Sequence, residues 1–212
     1  MKRIILTNFL SLLAISVFSQ SDSEPSGNWK IGFIFSSDFY TNSSRVTEQG
    51  DYNGYRLDDS GYNFSAGLTG QYKISPKVGV GLEITFSKMN FDANWFCSSC
   101  DWVVYTPPVP IELQFVEIPI FTRYYFFERK IDLYADFGFV GGFLVNDVSI
   151  ADINDNRFLF GVRFGVGSEI DLGEKISLSW SALYKNSLKS SSDDNTLKLR
   201  SLGLVVGVAY KI

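Results

Sequence analysis

Val116 to Phe127 reads VEIPIFTRYYFF, and the period of two in this stretch decides how the rest of the chain is to be built. Val116, Ile118, Ile120, Thr122, Tyr124 and Phe126 fall on one side of an extended strand. Glu117, Pro119, Phe121, Arg123 and Tyr125 fall on the other, because successive side chains of a strand point to opposite faces. One face is apolar and the other carries charge.

The same alternation returns along the chain. Trp29, Ile31, Phe33, Phe35 and Phe39 oppose Lys30, Gly32, Ser36 and Asp38. Tyr62, Phe64, Ala66 and Leu68 oppose Asn63, Ser65, Gly67 and Thr69, and Val78, Val80, Leu82, Ile84 and Phe86 oppose Gly79, Gly81, Glu83, Thr85 and Ser87. After the opening stretch come segments from Ile131, Phe158 and Ile176, then a last one holding Leu202, Leu204, Val206, Val208 and Tyr210. Polar, Asn/Ser/Asp/Gly-rich stretches such as Thr41 to Asp59 read as loops, and so does Lys88 to Pro110 with its prolines. Ile74-Ser75-Pro76-Lys77, Glu128-Arg129-Lys130 and Leu172-Gly173-Glu174-Lys175 read as tight turns. Long and short connections therefore alternate between eight strands. Pro119 lacks the N–H that a closed sheet needs, which predicts a local bulge at that position.

Aromatics make up 16% of the chain, with 19 Phe and 11 Tyr, a load that fits strands better than helices. The formal charge is −4 and becomes more negative once Lys2 and Arg3 leave, so no electrostatic footprint for nucleic acid exists. Met1 to Ser19 has the basic start, apolar run and small-residue end of a cleaved signal peptide, followed by a periplasmic leader, residues 20 to 27. Beyond it no stretch is long and apolar enough for a transmembrane helix. A membrane location therefore requires a closed barrel, since lipid offers unpaired backbone groups no partner.

A soluble secreted barrel binding an apolar ligand also alternates, with its apolar face inward. Its outer face should then be rich in Lys and Glu, whereas the second face here is mostly Gly, Ser, Thr and Asn. Small residues suit the narrow interior of an eight-stranded barrel, and Trp29, Tyr62, Tyr72, Tyr184 and Tyr210 sit where interfacial aromatic girdles belong. The expected fold is an all-β, eight-stranded antiparallel up-and-down transmembrane barrel over residues 28 to 212. Short turns lie on the periplasmic side and long loops outside, in the outer membrane of a Gram-negative cell.

The strand VEIPIFTRYYF, the Ser19-Gln20 junction and the last strand, LGLVVGVAYKI, resemble the outer-membrane β-barrel family of the Bacteroidota known as PorT-like. The chain ends in Ile212 where many such barrels end in Phe, with Tyr210 the nearest aromatic. The resemblance implies an outer-membrane barrel, and for some members a role accessory to type IX secretion.

The inward set Lys30, Asp38, Glu83, Glu117, Arg123, Asp136, Arg163, Glu169 and Lys185 reads as a matched lumen charge network that plugs the bore, since buried charges need partners. A narrow ion or small-solute channel is the competing reading. Cys97 and Cys100, exported to an oxidising compartment, read as a small disulfide. With no His and no third Cys, a metal site has too few ligands. Trp95, Phe96, Trp102 and Tyr105 beside them either prolong the third and fourth strands as a hairpin or face a partner. The missing His removes the usual general base, and no phosphate-binding loop is present. The sequence therefore points to a non-enzymatic structural or partner-binding barrel that needs no cofactor, whose partners are outer-membrane lipid and another envelope protein.

Overall fold

A computed structural model describes residues 29–41, 45–48, 53–59, 61–97, 106–126, 131–146, 157–188 and 196–212. The signal peptide and leader lie outside these residues. Eight long antiparallel strands close on themselves: β1 (Trp29–Tyr40), β4 (Asn63–Ser75), β5 (Val78–Cys97), β6 (Val109–Tyr125), β7 (Ile131–Leu144), β8 (Phe158–Asp171), β9 (Ile176–Ser187) and β11 (Arg200–Lys211). Closure comes from β1, which pairs with β4 on one side and β11 on the other. Both described chain ends lie at the same rim, where the Ile212 amide donates to the Trp29 carbonyl. The turns at 74–77 and 172–175 lie at that rim too, and Gly173 at φ +92° supplies the left-handed residue that the second needs.

The apolar rows look outward. Phe33 is 71% exposed, Phe137 57% and Leu204 62%, while Lys30, Glu83, Arg123 and Asp136 are buried. This is the inverse of a soluble barrel and suits a wall that faces acyl chains.

Two stretches read as loops contain strands. Within Thr41 to Asp59 lie β2 (Arg45–Glu48) and β3 (Asn53–Asp59), and Lys88 to Pro110 is occupied at both ends by prolongations of β5, to Cys97, and β6, from Val109. A further short strand, β10 (Thr196–Lys198), lies before β11. β3 pairs with the prolonged β5 from Asn53 opposite Cys97 to Asp59 opposite Phe91, β2 pairs with β3, and β10 with β2. The Ser187 amide then donates to the Leu199 carbonyl, tying the extension back to β9. Above the level where β1 and β4 end, these strands continue the wall as an outer storey.

Inside that storey is an apolar core of Tyr40, Leu57, Met89, Phe91, Ala93, Ile111, Leu113, Phe115, Leu144, Leu159, Leu197 and Leu199. Along β5 the inward residues are odd-numbered throughout: Glu83, Thr85 and Ser87, then Met89, Phe91 and Ala93. The outward ones change from Leu82, Ile84 and Phe86 to Lys88, Asn90 and Asp92. On β6, Ile111, Leu113 and Phe115 are buried beside Glu112 and Gln114, and below them the apolar row moves to Val116, Ile118 and Ile120. The strands keep their register while the apolar row changes face. This marks where the wall leaves lipid and enters water.

The bulge expected at Pro119 is absent. Leu82 pairs with Ile120 and Thr85 with Glu117, so the register is the same on either side and no residue has been inserted. The missing N–H falls on the β5 side, where the ladder lapses for two residues, while Pro119 stays aligned with Val140 of β7. The register of the β4–β5 pair shifts elsewhere, between Lys73 and Ser75.

Candidate functional site

The charged residues of the inner face converge in the lower lumen. Arg123 from β6 makes a two-pronged contact with Asp136 of β7, Nε to Oδ1 at 2.7 Å and Nη2 to Oδ2 at 2.9 Å, and reaches Glu169 of β8 at 3.4 Å. Lys30 of β1 pairs with the same Glu169. Arg163 of β8 donates to Glu83 of β5 at 2.5 Å and approaches Asp136 at 3.8 Å. Higher up, Lys185 of β9 donates to Glu117 at 3.1 Å and lies 3.7 Å from Asp38, which also accepts from the Ser36 and Ser65 hydroxyls. Each base therefore meets at least one acid from another strand, and the contacts staple the wall across its bore. Ion pairs removed from water hold only when each charge meets an opposite one, and here Arg163 leaves just its Nε without an acceptor.

Aromatic rings fill the space between the charges. The Arg123 guanidinium lies 3.6 Å from the Tyr134 ring centroid and Arg163 lies 4.4 Å from that of Phe121. Lys73 covers Tyr125 at 4.5 Å near the periplasmic mouth. Phe121 fits because Gly81 stands opposite it on β5, where a Cβ would run into the ring. The weakly hydrated guanidinium stacks on ring faces where an ammonium would keep its water. The cavity left at the mouth, lined by Lys30, Gln71, Lys73, Phe121, Arg123 and Tyr125 among others, holds about 10 Å³, room for about one water.

All nine inward charges named from the sequence lie in this network. Tyr40, Phe121, Tyr125 and Tyr134 were not singled out there, although their odd or even places in the alternation put them inside. Trp95 and Phe96 stand near the outer end of β5, which Cys97 closes, so β5 is prolonged through them, paired there with Tyr55 and Gly54 of β3. Cys100, Trp102 and Tyr105 lie outside the described residues. Among the described residues no group of three His, Cys, Asp or Glu side chains could hold a metal.

The family described as "Outer membrane protein beta-barrel domain" matches residues 8–211. Among curated protein sequences none matches the chain significantly. Among solved structures, the outer membrane protein OprG of Pseudomonas aeruginosa is similar at a TM-score of 0.55 and 14% identity, covering 88% of this chain and 96% of that one. Neisserial surface protein A is similar at 0.50 and 13%, covering 87% and 97%. At such identities the likeness is one of fold.

Proposed function

The chain belongs to the outer membrane protein β-barrel domain family, and from that premise we propose a closed, non-enzymatic barrel that serves the outer membrane as a structural and partner-binding component. The observation that carries this is the double closure of the bore. Arg123, Arg163, Phe121 and Tyr134 occupy the lower lumen, and the core around Phe91, Leu113 and Phe115 fills the outer one. A narrow channel along Glu83, Glu117, Arg123 and Arg163 would need both levels to open. Planar-bilayer recording tests the proposal: the expected result is no steady conductance, and large persistent openings would refute it.

With the bore shut, the surface left for recognition is the outer storey. Its rim includes Trp95 and Phe96 and, in our reading, Trp102 and Tyr105, braced by a disulfide between Cys97 and Cys100. Export through a signal peptide at Met1 to Ser19 and kinship with the PorT-like barrels of the Bacteroidota complete the proposal, with another envelope protein as partner. Pull-down from native outer membranes with intact protein and with Trp95→Ala/Phe96→Ala should recover that partner with the first alone.

A further inference from the structure

The lumen charges divide into a lower set near the mouth and an upper one beneath the apolar core. Below, Lys30, Arg123 and Arg163 meet Glu169, Asp136 and Glu83, with Lys73 over Tyr125 at the mouth. Above, Lys185 faces two carboxylates, Glu117 and Asp38. One negative charge is left over in a compartment roofed by the apolar core. An uncompensated charge so enclosed is unfavourable, and some positive species must offset it.

The surplus can be located. Glu83 has its own arginine, and Asp38 has two serine hydroxyls besides a lysine at 3.7 Å. Glu117 has Lys185, on Oε2, as its one ion-pair partner among the described residues. Directly across the ladder from Glu117, on the same inner face, is Thr85. It is 4% exposed, and its hydroxyl has no hydrogen-bond partner among the described residues. A carboxylate with a single ion-pair partner and an orphaned hydroxyl thus stand across one ladder from each other beside an excess negative charge.

We propose that one monovalent cation of sodium's class binds between Glu117 and Thr85 in the upper lumen. Oxygen donors of this kind suit hard cations. Charge selects the valence: a single positive charge closes the count, whereas a divalent ion would replace one uncompensated charge with its opposite. Lys185 keeps its contact with Oε2 of Glu117, and the cation adds the missing positive charge beside it. Lying between the apolar core above and the charged plug below, such an ion would be loaded as the barrel closes.

The test compares refolded barrels in sodium chloride and in N-methylglucamine chloride at equal ionic strength, the latter cation being too large to enter. Sodium should raise the melting temperature by roughly 5 °C in the unaltered protein. In Glu117→Gln and Thr85→Val, each first shown to be folded by its heat-modifiable gel migration, that difference should vanish. Crystals grown with thallous ion should show an anomalous peak between these two side chains. Equal melting in both salts, a sodium effect that survives in Glu117→Gln, or stability that follows pH alike in both salts would each overturn the proposal, the last by putting a proton in the ion's place.

Discussion

Arg123 is the residue on which the lower lumen turns, because its guanidinium bonds Asp136 in two-pronged fashion, touches Glu169 and lies against the Tyr134 ring. Replacing it with Ala would leave Asp136 short of a partner in a site that water barely reaches. Arg123→Ala should cost about 3–5 kcal/mol in urea unfolding from detergent micelles, and Arg123→Lys should recover only part of that, since an ammonium cannot reproduce the fork. A loss below 1 kcal/mol would mean that water enters the bore freely. Gly81 makes the complementary case. A larger side chain there must move Phe121, a rigid ring wedged beneath Arg163, so Gly81→Val should lower the midpoint in the same assay. The inward charges were legible in the sequence because alternation assigns each a side. Their partners were not, since Arg163 and Glu83 are joined only once the barrel has closed.

At the scale of elements, β5 and β6 pass from lipid to water without a bulge. The eight membrane strands were legible from alternation and turn residues. Their outer prolongations were not, because Lys88, Asn90, Asp92 and Asn94 break the expected apolar row and read as loop. The apolar row had moved to Met89, Phe91 and Ala93, and only the burial of Leu57 and Leu113 against them makes that choice of side evident. The outward pair Lys88 and Glu112, at 2.7 Å, joins the two strands in this wet zone. The hydrogen bond from Lys88, and then that from Gln114, hold the Glu112 carboxyl below its usual range. A lowered value in the folded state means stability present above the ordinary glutamate pKa of about 4.3 and lost as pH falls through the lower one. Both groups are about one-third exposed, so the effect should stay below about 1 kcal/mol. Between pH 5 and 3 the midpoint should fall slightly less in Glu112→Gln than in the unaltered protein; identical curves would show that the pair contributes nothing. Pro119 shows the limit of a local rule. A proline does interrupt a ladder, but here the strand absorbs the loss without shifting register.

For the whole molecule, the two closures act in series. Leu113→Ala should cost about 2–5 kcal/mol by opening a cavity in the outer core and should still give no conductance, because the charged stack below remains. Leu113→Ala combined with Arg123→Ala should be the first variant to leak ions in a bilayer, and a leak from Leu113→Ala alone would place the whole barrier in the outer storey. The change of face along β5 also gives the protein a built-in depth gauge. Two positions apart on one strand, Phe86 and Lys88 mark the last rung in oil and the first in water. A probe carried at residue 86 should react with quenchers dissolved in the bilayer, and one at residue 88 with quenchers dissolved in the buffer. Such a barrel gains height above the cell by adding rungs with the greasy side turned inward, so its reach can grow while the hydrophobic thickness it matches stays the same.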